Sequence, residues 1–465
     1  MTEAPIAADL LISGATLITM NAERQVIEDG ALAVAGDRIV AVGKREALAR
    51  TVQAKEVVDG RRFVATPGFV DAHIHITGDP LTRGFARGGP DDNWGDKLQK
   101  WVIPIFKAQT AEDEKLSAQC AALAMIRYGT TTFVEAGTVC HLDAVMEGLD
   151  ESGVRGRVGE WVEGRAFNPA DDQAKVSAAA IAILESEVER YPDRGGDTRL
   201  AAWPILVGHS TNSDDVWRAA RRLADERGLR VSAHMSPRAG DPEWFLAQYN
   251  RRPLEHLADI GVLGESVMLT HLANIDESEL DLLVGAGAGA IHCPHAALQG
   301  GFGVSRIGLF PEMLDRGVNL MLGTDGVAAD ILSSGRLMAS LFRDARCDQD
   351  LMPAAAVLEM ATLNAARAMG MAGDIGSLEA GKKADFVLHD TWLPEWGPVF
   401  DAPEQLAFSA PPGGVHSVWI DGVRVLEDGR ATLLDEDRIL ADARQAGRAV
   451  IARTKLPNRT SWPVI

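Results

Sequence analysis

The sequence predicts a (β/α)8 (TIM) barrel carrying a small β-sandwich assembled from both ends of the chain. Three observations lead there. Through the middle of the chain, short apolar runs alternate with long amphipathic ones roughly every 30 to 40 residues, the rhythm of βα units. Both ends read instead as hairpins with period-two alternation. Several histidines and one aspartate fall at the C-terminal ends of the predicted strands, the end at which a barrel carries its chemistry.

The elements follow in order. Leu10-Leu11-Ile12, Ala31–Val34 and Arg38–Val42 are strands separated by turn pairs at Ser13-Gly14, Asp29-Gly30 and Gly36-Asp37. Barrel strands are predicted at Phe69–Ile76, Thr131–Ala136, Arg157–Val162, Leu200–Val207, Arg230–His234, Val267–His271, Ala288–His292 and Asn319–Gly323. Helix signals are clearest at Thr110–Tyr128 and Ser213–Arg227, where a hydroxyl residue caps and acids fill the first turn. Alternation returns at Ala384–Leu388 and Val415–Ile420, the latter followed by Asp421-Gly422, a tight hairpin turn. From Leu434 the chain reads as a helix with an irregular end. The expected domains are a β-sandwich from residues 1–66 plus 372–430, a barrel from 67–371, and a C-terminal helix and tail from 431–465. Chain termini often lie close together, which lets the two hairpin segments pair.

Composition narrows the function. The 465 residues are 46% hydrophobic and 24% charged, ordinary for a globular protein and long enough for a large domain plus a small one. Lysine and arginine number 46 against 66 acids, a net charge of -20. Such a surface repels phosphate backbones and anionic lipid, so nucleic acid and membrane are excluded as partners and a small molecule is expected. Cys120, Cys140, Cys293 and Cys347 lie far apart with no C-x-x-C pair, as in reduced cytoplasmic proteins. The first residues carry acids and no basic stretch, a poor signal peptide. No apolar run reaches the roughly 18 to 20 residues that span a bilayer.

The histidines carry the argument further. His73 and His75 belong to the first barrel strand, where period two puts both on its inward face. His209 follows strand four, His234 ends strand five, His271 ends strand six, and His292 and His295 follow strand seven. Asp325 lies after strand eight. Imidazoles and a carboxylate suit a divalent transition metal with room for water. An H-x-H triplet alone is weak, and for His234 and Asp325 the bland alternatives are a core histidine and a loop-capping aspartate. His292 reads better as core than as functional. His209 and His295 are open.

Together the motifs resemble the amidohydrolase superfamily of metal-dependent hydrolases, in its cytosine deaminase-like and triazine hydrolase-like branch. Pro67-Gly68-Phe69-Val70-Asp71-Ala72-His73-Ile74-His75 is similar to its first-strand motif, Tyr128-Gly129-Thr130-Thr131-Thr132 to the second and His292-Cys293-Pro294 to the seventh. Gly323-Thr324-Asp325-Gly326 resembles the eighth, and Gly376–Asp385 the return into the small domain. The resemblance covers about residues 10 to 430. It implies a metal held by His73, His75, His234 and Asp325, with Asp325 and His271 catalytic and His271 beside the substrate. Strand four has no lysine, which two-metal relatives carbamylate, so the resemblance implies one divalent ion per chain. Zinc is expected first, with iron, cobalt or manganese as alternatives. Relatives are commonly dimers or tetramers, so a homo-oligomer is expected.

Two departures stand out. Aminohydrolases of this branch usually carry a proton-shuttling glutamate three positions after the strand-five histidine; here the run is His234-Met235-Ser236-Pro237. Strand seven usually continues into a Ser-Asn pair; here it reads Pro294-His295-Ala296-Ala297. Expelling ammonia from a ring needs a good general acid. Glu135, Glu163 and His295 are substitutes by strand position only. H-E-x-x-H and P-C-x-x-C are absent, and Gly285–Gly289 lacks the lysine of a phosphate loop.

The expected chemistry is attack by a metal-activated water whose proton passes to Asp325, with His271 polarising the attacked group. The first reading is hydrolysis of a non-peptide carbon–nitrogen bond in an amide, carbamate or urea. Next comes an aminohydrolase or dechlorinating hydrolase acting on an aromatic nitrogen heterocycle, nucleobase or s-triazine. A catalytically silent scaffold is last, since silent relatives tend to lose ligands. Specificity is expected in loops 83–101, 209–214 and 294–304, with His295, His209, Glu163 and Trp94 as candidate substrate contacts and Trp101 and Phe302 as candidate pocket lining.

Overall fold

The computed structural model describes residues 5–85, 97–458 and 462. Strands β1 (Ile6–Ile18), β2 (Val26–Ala35), β3 (Arg38–Lys44), β4 (Val52–Asp59) and β5 (Phe63–Pro67) precede the barrel. The barrel strands are β6 (Phe69–Ile74), β7 (Thr130–Glu135), β8 (Arg155–Val158), β9 (Leu200–Ala202), β10 (Ile205–Gly208), β11 (Val231–Met235), β12 (Val267–His271), β13 (Gly289–His292) and β14 (Leu320–Leu322). The chain then returns through β15 (Phe386–Asp390), β16 (Val415–Ile420), β17 (Val423–Glu427) and β18 (Arg430–Ala431).

Both chain ends share one sheet, ordered β18-β17-β16-β15-β5-β1-β2-β3, with β4 also on β1. Strand β1 is long enough to serve several partners. Its first half runs parallel to β4, its second half parallel to β5, and β2 lies antiparallel along it. Alternation then sorts the side chains. Leu10, Ile12 and Leu17 enter a core with Phe386 and Trp419, whose rings stack at 4.6 Å. Leu11 joins Ala31, Ala33 and Leu48 in a second core on the other face. At Asp421-Gly422 both φ angles are positive (49° and 75°) and Ile420 pairs with Val423, the two-residue turn whose twist suits a hairpin.

The barrel is parallel throughout, in two arcs, β6-β7-β8-β9 and β10 to β14. The expected fourth strand, Leu200–Val207, is broken at Trp203-Pro204, because proline brings no N–H to the ladder. Its halves β9 and β10 pair with β8 and β11 respectively. The third strand begins two residues earlier than Arg157–Val162 predicted and ends at Val158. Two arginines at its start look like a boundary in sequence, yet both are fully buried. Arg155 Nε lies 3.3 Å from Asp385 and its Nη2 2.5 Å from Asp421, while Arg157 Nε and Nη2 grip Asp193 at 2.7 and 2.9 Å. Since Asp385 and Asp421 flank the small sheet's strands β15 and β16, Arg155 pins that sheet to the barrel.

Helix Ala111–Arg127 starts at Thr110 with a reciprocal box, Thr110 Oγ1 accepting from Asp113 N and Asp113 Oδ2 accepting from Thr110 N. Helix Asp214–Arg227 begins where predicted, but the Ser213 hydroxyl meets Ser177 Oγ at 2.7 Å instead of capping. The terminal helix Glu436–Thr454, capped by Asp435, lies so close to Leu81 that a Cβ on Gly447 would stand 2.1 Å from its carbonyl oxygen. Among the described residues no helix is long and apolar enough to cross a membrane.

Removing the Arg155 guanidinium should strand the Asp385 carboxylate in the interior, which typically costs about 3–5 kcal/mol. Urea unfolding of Arg155→Ala is expected to show that loss, and a loss below about 1 kcal/mol would mean the pair is not what joins sheet and barrel.

Candidate metal centre and active site

The sequence gathers its candidate ligands at the ends of strands. His73 lies within β6, His75 just past its end, His234 within β11, His271 at the end of β12 and Asp325 beyond β14. In the barrel, nitrogens of His73, His234 and His271 lie within 4.8 Å of one another, as do ligand atoms of His73, Cys293 and Asp325. His75 Nε2 is 3.3 Å and His271 Nε2 3.8 Å from the two Asp325 oxygens. Ring centroids of His73 and His234 are 4.5 Å apart, and those of His75 and His234 5.5 Å apart.

The rings of His73, His75 and His234 are each held by a second nitrogen, whereas His271 Nδ1 is buried without a partner. His73 Nδ1 lies 3.0 Å from Thr270 Oγ1, and His234 Nδ1 donates to Val207 O at 2.9 Å. His75 Nδ1 meets Thr138 Oγ1 at 3.2 Å, and that hydroxyl donates to Glu135 Oε1 at 2.7 Å. Such partners fix tautomer and orientation, as the outer contacts of metal-binding histidines do. His73 Nε2 is buried with no hydrogen-bond partner. An orphaned buried nitrogen is costly, and a cation beside it would satisfy its lone pair. Three imidazoles and a carboxylate around that point fit a divalent transition metal.

Electrostatics favour the ligating forms of His73, His234 and Asp325, but not of His75. Burial holds His73 and His234 well below the ordinary histidine range and His271 down to about 4. Burial opposes ionisation of Asp325, but His75, His271 and His73 overcome it and hold the carboxyl well below its usual value. For His75 burial works downward, and hydrogen bonding to Asp325 wins and raises it. Neutral imidazole and ionised carboxylate are the species that bind metal.

Asp71 was not singled out from the sequence, although it stands two residues before His73. Its Oδ1 accepts from the backbone N–H of His73 at 3.2 Å and of Thr324 at 3.1 Å, and its Oδ2 accepts from the Thr324 hydroxyl. Complete burial pushes this carboxyl up to about 7. Next to it, Asp325 N donates to His73 O at 2.9 Å and closes the barrel between its first and eighth strands. Gly323 permits this approach: a Cβ there would stand 2.9 Å from His73 O and 2.8 Å from Cys293 Sγ.

The remaining candidates scatter. His209 joins the cluster's edge, its ring 5.5 Å from that of His234 and its Nδ1 2.5 Å from Asp241 Oδ2. Glu163 is exposed and bonded to Lys107 Nζ (2.7 Å) and Trp161 Nε1 (3.2 Å). His295 Nδ1 lies 3.2 Å from Ser334 Oγ. Glu135 is buried beneath His75, accepting from the N–H groups of Gly137 and Thr138. Trp94 lies outside the described residues. His292 stacks on Phe310 at 3.9 Å. Trp101 is buried, whereas Phe302 reaches the site, its ring 5.4 Å from His271. Phe302 also borders a cleft of about 370 Å³ with Arg238, Asn274 and Arg306. Phe106, 6.0 Å from His75, and Trp161, 5.8 Å from Phe106, form another aromatic wall.

Elemental analysis of the purified protein should return one ion per chain, and His73→Ala or His234→Ala should lose most of it while circular dichroism stays unchanged. Two tightly held ions would overturn the single-ion reading, and unfolded variants would make the site structural.

Comparison with known proteins agrees with this fold. The profile of the Amidohydrolase family matches residues 64–425. A 5-methylthioadenosine/S-adenosylhomocysteine deaminase from Syntrophobacter fumaroxidans is 31% identical over 450 residues, 95% of this chain and 98% of that protein. A 5'-deoxyadenosine deaminase from Methanosarcina mazei is 28% identical over 96% of this chain and 99% of its own. Among solved structures, an adenosine deaminase from Xanthomonas campestris with bound zinc superposes with a TM-score of 0.84 at 26% identity, covering 96% of this chain and all of that one. Atrazine chlorohydrolase from Arthrobacter aurescens, also with zinc, shares the fold at 0.82 and 21% identity, covering 94% of this chain and all of that one. The chain belongs to the amidohydrolase family and is a metal-dependent hydrolase of carbon–nitrogen bonds other than peptide bonds.

Proposed function

We propose that His73, His75, His234 and Asp325 hold one divalent ion, zinc before iron, cobalt or manganese, and that the substrate is a small amide, carbamate or urea cut at its carbon–nitrogen bond. The observation that carries the substrate class is the turn after β11. Pro237 stands where the branch usually has its proton-shuttling glutamate. The turn is fixed by Ser236 at φ 50° and by Asn274 Nδ2 donating to Pro237 O at 2.9 Å. It offers no carboxyl to a departing ammonia, whereas an aryl amine or similar stabilised group leaves with less help.

When bound, the ion supplies Lewis-acid polarisation and lowers the pKa of a water from 15.7 to about 7. The protein's own groups do the rest. Asp325, held ionised between His75 and His271, accepts the proton of the attacking water. His271, kept neutral by burial, has one N–H to offer the oxygen on which charge develops. Phe106, Trp161 and Phe302 supply apolar walls for an aromatic substituent. Cytoplasmic residence is supported by four free cysteines, and assembly as a dimer or tetramer by the family resemblance.

Hydrolytic deamination of an adenosine-like nucleoside is the second reading, favoured by relatives that are 31% identical over nearly the whole chain. The products separate the two. Aryl carbamates, phenylureas and anilides are expected to release amine, with a rate that climbs steeply as the leaving group becomes less basic. Faster ammonia release from 5'-methylthioadenosine or adenosine would overturn the first reading in favour of the second.

Asp325→Asn keeps the shape of the side chain but not its basicity, so turnover should drop by roughly 10² to 10⁴-fold at full metal occupancy. Turnover near that of the wild type, with the ion in place, would remove Asp325 from the role of proton acceptor.

A further inference from the structure

We infer that the cleft bordered by Arg238, Phe302 and Arg306 is a subsite for a carboxylate carried on an aromatic ring of the substrate, and that the two arginines select for that charge. The inference deepens the proposed hydrolysis and rests on reading the histidine cluster as its centre.

The cleft, of about 370 Å³, lies where two turns meet at the mouth of the barrel, one after β11 and one after β13. Phe302 is the wall that it shares with the centre, because its ring stands edge-on to His271 at 5.4 Å and 89°. A substituent that runs outward along Phe302 therefore leads into the cleft. The turn holds that ring in place. Phe302 N donates to Ala297 O at 2.9 Å, and a Cβ on Gly300 would stand 2.3 Å from the ring, so glycine lets it lie inward. Arg238 crosses from the other turn. Its Nη2 donates to Gly300 O at 2.6 Å, and its guanidinium carbon lies 4.9 Å from the centre of the Phe302 ring. One cation is thus fixed against the aromatic wall.

The second cation, Arg306, is exposed on the opposite rim, in the short helix Val304–Ile307. Among the described residues its side chain makes no hydrogen bond and no ion pair. In a chain with 66 acids against 46 bases, a surface arginine readily meets a carboxylate. Arg316 pairs with Asp281 at 2.7 Å and Arg346 with Glu312 at 3.1 Å. Around the cleft the balance is reversed: among the described residues that border it there are two arginines and no acid. Asp241, next after Gly240, is turned away to His209 Nδ1 and the Ser236 N–H. A planar guanidinium fork matches a carboxylate, and the face of Phe302 suits the ring that bears it.

The test uses the metal-loaded, full-length protein, its ion content checked by elemental analysis, and has two arms. In the first, calorimetry compares benzohydroxamate, whose hydroxamate takes the ion, with its 3-carboxy and 4-carboxy derivatives. At least one carboxylated compound should bind about tenfold more tightly, the scale of one charge-assisted hydrogen bond at a partly open site. That advantage should shrink as salt is added. Arg306→Ala should lose most of it and Arg306→Glu should reverse it, while Arg306→Lys keeps part. Arg238→Gln, which retains a donor for Gly300 O, should also reduce it. Equal affinity of the three compounds or no binding of any at full ion content would overturn the inference, as would an advantage undiminished in Arg306→Glu. In the second arm, anilides and phenyl carbamates with and without a ring carboxylate are compared. The wild type should favour the charged member by a similar factor in kcat/KM, carried by KM rather than kcat, and Arg306→Glu should lose that preference. Should the wild type hydrolyse none of these compounds, the amide reading fails, while the hydroxamates still decide whether the cleft selects an anion.

Discussion

Closure of the barrel between β6 and β14 is the constraint on which the site depends. His73 and Asp325 are 252 positions apart in the chain, and the first contact that unites them is backbone, Asp325 N to His73 O. Asp71 locks the same seam by accepting two hydrogen bonds from Thr324, one from its N–H and one from its hydroxyl, while a third from the His73 N–H holds the carboxyl to its own strand. A carboxyl buried there is expensive, as its raised pKa of about 7 records. Its reward is rigidity, because β6 cannot shift along β14 without breaking both bonds from Thr324. Both His75 and Asp325 then stand where the other's polar atoms can reach.

Holding this arrangement strains the backbone. His209, Ser236, His271, Leu272 and Asp325 all have φ between 46° and 83°, a region side-chain-bearing residues avoid. Each costs on the order of 1–3 kcal/mol and persists only because its surroundings over-determine it. All five lie at the C-terminal mouth of the barrel, where strands turn into loops. The barrel wall beneath them is fully packed, with Leu206, Ala233, Leu269, Ile291 and Met321 in one continuous core. Rigidity below and strain above are two halves of one design, since a loose wall would let the turns relax and the rings drift apart.

Much of this is local enough to be legible in the sequence. Period-two alternation located the hairpins, Asp421-Gly422 carried its turn in two letters, and the spacing of His73 and His75 put both at one strand end. What escaped depends on contacts between distant segments. Arg155 and Arg157 look like a polar strand boundary until Asp385, Asp421 and Asp193 are brought to them. Pro204 is visible in the sequence, but a kink inside one strand and a break between two strands look alike there. Thr138 and Thr270, which orient His75 and His73, are ordinary threonines in sequence. Asp241 is 32 residues from His209 and marked by no motif; only the turn geometry at Ser236 makes the two meet.

The metal cluster by itself does not choose the reaction. Its four expected ligands come from strand ends that the fold holds fixed, and solved structures named for quite different activities share that fold. The rim of this chain bears on that choice. After β11 this chain places a proline whose carbonyl is bound by Asn274, and moves its nearest carboxylate four positions onward, to Asp241. There the carboxylate is spent on His209 and Ser236 rather than left facing the centre. One carboxylate cannot both orient a neighbouring ring through two short hydrogen bonds and swing freely to carry protons to a leaving group. On this rim the carboxylate is tied to a ring and a main-chain N–H, which is the ground for the proposed substrate whose leaving group departs with little help.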